Sequence, residues 1–282
     1  MAQALKDARE WGPEVICALF LVGILGLAAF VAVEVRSPQP MMNLRLFGSR
    51  LFALANLANL LNGVARGAVM FLLIFFLQGP LGQDPLTAGL MMAPFGLAFM
   101  LMGPISGYLS DHHGARGLGT AGLIVSALGL AGLSLVTDRS PYWLIALWMV
   151  VIGAGAGLFN SPNTNVIMTS VRPEQRGMAA GIRIMLNNTG QMLSTAIAFP
   201  MVVAQIPQDE MMKIFLYGGG MGQDPAVLQS FLGGLHEAFI FSFALSLLAA
   251  VASAFQPSHS PLEAARAESI TLCPSQTPSP KG

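Results

Sequence analysis

Residues 52–78 read FALANLANLLNGVARGAVMFLLIFFLQ, and this stretch decides the fold. A helix needs about 20 mostly apolar residues to cross a bilayer, and this run exceeds that. Within it Asn56, Asn59, Asn62 and Arg66 recur at spacings of 3, 3 and 4. At about 100° per residue they share one face roughly 120° wide, while the opposite face is Leu, Ala, Val and Phe. Such a helix has lipid or packed protein on one side and polar surroundings on the other. A cation at the bilayer centre costs about 2.5–3.5 kcal/mol on insertion scales and usually faces a protein interior or a water-filled cavity. Half the hydrocarbon thickness is about 15 Å, too far for one arginine to reach the headgroups easily. Arg66 is therefore expected to line a polar route. The asparagines have two readings, lining that route or joining helices by hydrogen bonds.

The composition extends the membrane reading to the whole chain. Of 282 residues, 54% are hydrophobic and 10% charged, with a mean hydropathy of +0.64. Soluble domains carry roughly 25% charged residues. The fold class expected is an all-α membrane protein. The net charge of zero implies no nucleic-acid partner. Cys17 and Cys273 lie in the first apolar segment and the polar tail, so no disulfide is expected. The N-terminus lacks the basic start and cleavage site of a signal peptide.

Seven apolar segments have spanning length: 13–33, 52–78, 86–109, 117–136, 142–169, 177–206 and 235–255. The domain reading is a polar segment 1–12, a membrane helix 13–33, a connection 34–51, a six-helix bundle 52–255 and a disordered tail 256–282. An odd number of spans puts the two ends on opposite sides. With the tail cytoplasmic, the inner loops hold six cations (Arg36, Arg45, Arg50, Arg116, Arg172, Arg176) and the outer side four (Lys6, Arg9, Arg139, Lys213). The positive-inside rule favours this orientation. An outside N-terminus without a signal peptide then suits a fragment of a longer chain, with an independent seven-helix protein as the alternative.

Other spans carry polar groups too. In the sixth, Arg183, Asn187, Gln191 and Ser194 follow at 4, 4 and 3 on one face. Arg183 either joins a cavity or snorkels to headgroups. The fifth has Asn160, Asn163, Thr164 and Asn165 around Pro162, and Gly153, Gly155, Gly157 and Pro162 are candidate break or gating points. No Asp, Glu or His lies inside a span; His236 and Glu237 fall at the outer edge of the seventh. No catalytic constellation is evident, so an enzyme is not expected, nor a cofactor. His112 and His113 are adjacent and point apart on a helix, so no metal site is expected.

Between the third and fourth spans the chain reads GYLSDHHGAR, Gly107 to Arg116. It resembles the G-x-L-[SA]-D-R-x-G-R-[KR] signature of the major facilitator superfamily. Gly107, Leu109, Ser110, Asp111, Gly114 and Arg116 match, whereas His112 and Ala115 stand where arginine is usual. The stretches FLQGPLGQDPLTAGLMMAPFG, GAGAGLFNSPNT and VRPEQRGMAAGI resemble the second half of the fourteen-helix drug:proton antiporters, and MNLRLFGSRLFALAN resembles the opening of their C-terminal bundle. The likeness covers about residues 11–255. In the sixth span, however, NNTGQ replaces the more usual arginine-glutamine pattern.

The resemblance implies the C-terminal bundle of a secondary transporter in the plasma membrane, exporting amphipathic organic molecules by proton-coupled alternating access. Its partners would be the lipid bilayer, a small-molecule substrate and an N-terminal six-helix bundle that this chain lacks. The cavity would be lined by Asn56, Asn59, Asn62, Arg66, Arg183, Asn187 and Gln191. Gly107, Asp111, Gly114 and Arg116 would form a latch between inward- and outward-facing states. Arg66 would favour anionic or zwitterionic substrates, or else neutralise a carboxylate of the absent half. The alternative function is a non-transporting remnant or accessory subunit that needs a partner bundle.

Overall fold

In the computed structural model the chain divides into two units, Met1–Arg45 and Leu46–Gly282. The structure describes residues 44–137, 140–203 and 225–257, together with scattered residues between 18 and 33. In the first unit those scattered residues are helical, and Leu21, Val22, Leu25 and Val33 are exposed. The polar N-terminal segment, both cysteines and nearly all of the tail lie outside the described residues.

A 3-10 turn, Leu44–Gly48, spans the boundary at residues 45 and 46. Among the described residues seven α-helices follow: α1 (Arg50–Gln78), α2 (Pro85–Met91), α3 (Ala93–His113), α4 (Ala115–Leu133), α5 (Tyr142–Thr169), α6 (Arg176–Val203) and α7 (Pro225–Ala254). Among the described residues five helical stretches are long and apolar enough to cross a membrane: Arg50–Gln78, Pro85–Ser110, Ala115–Leu133, Tyr142–Thr169 and Gln229–Ala254. The expected sixth span, α6, has the length but is too polar to join them, because Arg183, Asn187, Asn188 and Gln191 dilute it. The expected first span lies largely outside the described residues.

Local chemistry sets the boundaries. Asp84 caps α2: its carboxylate accepts from the amides of Leu86 and Thr87 at 3.2 and 3.1 Å. A bond to the Thr87 side chain, and after it these backbone bonds, hold its carboxyl below the usual carboxylate range. Pro85 sits in the first turn, where a missing N–H does no harm. α3 and α4 are separated by Gly114 alone, whose φ of +86° is open to glycine and strained for other residues.

The six long helices pair as α1 with α6 and α7, α4 with α5 and α7, and α3 with α5. Glycines set several of these crossings, as small residues do in membranes. A Cβ on Gly122 of α4 would lie 2.6 Å from the Phe159 amide nitrogen of α5, and one on Gly63 of α1 would lie 2.7 Å from the Asn187 carbonyl of α6. Leu72, Leu73, Phe76 and Leu77 at the end of α1 form the apolar core with Leu130, Ile145, Met149, Leu235 and Phe239. Leu97, Met100, Leu101, Ile105 and Tyr108 of α3 are exposed, an apolar face suited to lipid.

The structure corrects the expected break in α5. The helix runs unbroken from Tyr142 to Thr169 with Pro162 inside it. Gly153 and Gly157 press against α3, and Gly155 against Ser126 of α4, so all three are contact positions. Pro162 lacks the N–H that would bond the Leu158 carbonyl. The Ser106 hydroxyl of α3, fully buried, donates to that carbonyl at 2.9 Å. A neighbouring helix thus satisfies the freed group and the helix continues.

Candidate functional site

The polar residues of the spans gather on α1, α5 and α6, while α4 and α7 pack behind. On α1 the stripe divides into two kinds of position. Asn56, Asn59 and Asn62 are buried. The Asn59 amide donates to the Arg183 carbonyl of α6 at 2.8 Å. Its oxygen accepts from Asn187 at 3.5 Å, and Gln191 donates to Asn187 at 2.6 Å. Ser194 of α6 accepts from the Ala68 amide at 2.8 Å. This line of bonds runs along a crossing already tight at Gly63, Gly67 and Gly190. Asn59 therefore joins helices. Asn56 folds its amide back to the Phe52 carbonyl at 3.0 Å.

Arg66 is placed differently. It is half-buried, and its guanidinium lies 5.7 Å from the ring centroid of Phe99 on α3. Among the described residues it makes no hydrogen bond and no ion pair. A cation over an aromatic face gains about 0.5–2 kcal/mol, and more as it is desolvated, but its N–H donors stay unspent. Phe99 gave no sign of this contact in the sequence, because only tertiary packing brings it to Arg66.

Arg183 turns towards α5 and donates to the Asn160 oxygen at 3.3 Å, while its Nε is buried without a partner. Asn163, one residue past Pro162, is buried with neither amide atom bonded. Asn187 and Gln191 are half-buried beside them. Buried amides nearly always find partners, so Asn163, the Arg183 Nε and the free Asn56 oxygen mark capacity left open for water or a ligand.

The latch segment lies where α3 meets α4. Gly114 makes the turn, but Gly107 lies within α3, where a Cβ would meet the Ser161 hydroxyl of α5 at 3.3 Å. The side chain of Asp111 lies outside those described. Arg116 donates to the Ala254 carbonyl, the last residue of α7, which places a cation at the negative end of that helix. His112 bonds the Tyr108 carbonyl at 3.0 Å, and its ring lies 4.7 Å from that of Tyr108, tilted by 42°. His236 bonds the Val136 carbonyl at 3.0 Å, at the other end of the bundle.

A model of the Major Facilitator Superfamily matches residues 55–272. The chain belongs to the major facilitator superfamily. It is similar to the riboflavin transporter RibZ of Clostridioides difficile, at 33% identity over 62% of this chain and 39% of that protein. It is also similar to the cephamycin export protein CmcT of Amycolatopsis lactamdurans, at 31% identity over 89% of this chain and 49% of the other. The multidrug resistance protein Stp of Mycobacterium tuberculosis is 36% identical over 61% of this chain and 32% of its own. The chain thus spans half or less of the length of these three relatives. Among solved structures, the Escherichia coli fucose:proton symporter FucP superposes with a TM-score of 0.55 at 19% identity, covering 74% of this chain and 49% of that one. This shows the fold: half of a major facilitator chain matches most of this one. The superfamily assignment, the helices and these relatives agree on a multi-pass membrane protein.

Proposed function

We propose that this major facilitator chain supplies one six-helix bundle, residues 52–255, of a drug:proton antiporter-type exporter, and that it carries amphipathic organic compounds by alternating access. The observation that carries the reading is Arg66. A half-buried guanidinium in mid-helix, resting on Phe99 and otherwise unbonded among the described residues, has donors to offer a cargo or a facing carboxylate. Arg183, Asn187 and Gln191 extend the same polar surface, with Asn163 behind it. Relatives named for cephamycin export and multidrug resistance support an organic cargo.

The partner is a second bundle. On α6 Ile184, Met185, Met192 and Leu193 are exposed, and Asn188 and Thr189 beside them are exposed too. Polar groups at membrane depth usually face protein or water, so this mixed face fits against another bundle across a hydrated space. The charge asymmetry of the loops supports a cytoplasmic Gly107–Arg116 segment and tail. There Arg116, holding the end of α7, would act with Asp111 as the latch. The test is accumulation of a fluorescent amphipathic drug in efflux-deficient cells expressing the full transporter. Arg66→Ala is expected to raise accumulation to the level of cells without transporter. Unchanged efflux would remove Arg66 from the mechanism.

A further inference from the structure

Arg66 stands beside an aromatic strip. Phe95 and Phe99 of α3 stack with ring centroids 6.3 Å apart and planes 16° from parallel. Both rings are half-buried, and the Arg66 guanidinium lies 5.7 Å from the Phe99 centroid. A second cation, Arg183, starts at another depth. Asn59, which bonds the Arg183 carbonyl, precedes Arg66 by seven residues, about 10 Å of helix rise.

Neither cation is compensated by the bundle. Among the described residues Arg66 and Arg183 form no ion pair, and the one hydrogen bond from the Arg183 side chain goes to the neutral Asn160. The described carboxylates lie elsewhere: Asp84 caps α2, Glu174 precedes α6 in a 3-10 turn, and Glu237 is exposed on α7. Asp111 follows Phe99 by twelve residues, about 18 Å along α3. Helix dipoles do not replace them, because their effect fades within the last turn. Arg66 is twelve residues from the C-terminal end of α1. Arg183 is the eighth residue of α6, nearer that helix's positive end than its negative one. Asn160, which it bonds, is nine residues from the end of α5. A low-dielectric surface lined by one sign of charge concentrates ions of the other.

We propose that the cargo is an aromatic organic anion, of the arylcarboxylate class. This rests on the transport reading and narrows its amphipathic cargo to one charge type. The carboxylate accepts from the unspent donors of Arg66, and the ring lies along Phe95 and Phe99. Guanidiniums at two depths fit an acid group that moves between them. A carboxylate fixed on the facing bundle would meet Arg66 equally well, but would make no use of the aromatic strip.

The experiment is equilibrium dialysis of three matched probes against the full transporter in phosphatidylcholine nanodiscs, with empty nanodiscs as the background. The probes are 2-naphthoate, its neutral amide and the planar cation 2-naphthamidinium. Naphthoate is expected to bind about tenfold tighter than the amide, the worth of a hydrogen-bonded charge, and naphthamidinium weakest of the three. Arg66→Gln is expected to erase the preference of naphthoate over the amide, and Arg66→Lys to keep part of it. The proposal is overturned if the amide or the cation binds wild type as tightly as naphthoate, if no probe binds, or if Arg66→Gln keeps the full preference. Equal binding of the three together with a lower unfolding midpoint in Arg66→Gln identifies a fixed carboxylate opposite Arg66 instead. Drug accumulation in cells reports transport separately, so efflux without an anion preference refutes the cargo class and leaves the transport reading standing.

Discussion

Ser106→Ala tests whether one hydroxyl keeps α5 continuous. Pro162 has no N–H for the Leu158 carbonyl, and Ser106 donates to that carbonyl from α3 at 2.9 Å. Ser106 is fully buried, so its removal leaves an acceptor with no water at hand. An orphaned buried acceptor costs about 1–3 kcal/mol in soluble proteins. Interhelical bonds in membranes average about 0.6 kcal/mol, with a maximum near 1.7. The expected loss is therefore about 1 kcal/mol, towards the upper part of the membrane range because the proline removes the local substitute. A double-mutant cycle isolates this cause. Pro162→Ala restores an N–H four residues after Leu158, so the carbonyl gains a partner within its own helix. In that background Ser106→Ala is expected to cost less than half as much. The assay is reversible unfolding in mixed micelles, with all four proteins compared. Equal losses from Ser106→Ala in both backgrounds would refute the reasoning, since the hydroxyl would then matter for something other than the proline.

Three further outcomes follow from other contacts. Gly122→Val is expected to lower the unfolding midpoint sharply, by about 2 kcal/mol or more, because even the Cβ would lie 2.6 Å from a backbone nitrogen; near-wild-type stability would show that α4 and α5 can separate freely. Asn59→Leu is expected to loosen α1 from α6 by about 1 kcal/mol, read by the same unfolding assay, because it leaves the Arg183 carbonyl without its side-chain donor; unchanged stability would remove Asn59 as a link. Asp84 stabilises α2 only while ionised. Its folded carboxyl is held below the ordinary value, so the contribution is complete above that ordinary value and disappears as pH falls through the depressed one. Amide exchange at Leu86 and Thr87, corrected for intrinsic rates, is expected to quicken across that acidic window in the wild type and to show no such step in Asp84→Ala.

Much of the architecture was legible in one dimension. Segment 142–169 was read from apolar length and coincides with α5, and 52–78 falls two residues short at the start of α1. Length and hydropathy are local quantities, so they survive without knowledge of neighbours. Gly114 stood out as a match to the signature, but its place as the single residue between α3 and α4, with φ of +86°, came only from the structure. The glycines of α5 could be read only as candidate break or gating points, because a glycine looks the same whether it bends a helix or admits another one. Only α3 and α4, pressing on Gly153, Gly155 and Gly157, decide between the two.

The polar stripe shows the same division. Its period fixed that Asn56, Asn59, Asn62 and Arg66 share a face, because helix geometry alone relates residues three and four apart. What each does on that face depended on the helix opposite. Asn59 meets the Arg183 carbonyl and Asn187 of α6 and becomes a link, whereas Arg66 lies over Phe99 of α3 with its donors unspent. The sequence determined a membrane-spanning helical bundle and the residues able to be polar within it. The tertiary structure decided which of them pair with each other and which remain open to a ligand, since a hydrogen bond forms only where a second chain segment arrives within about 3 Å.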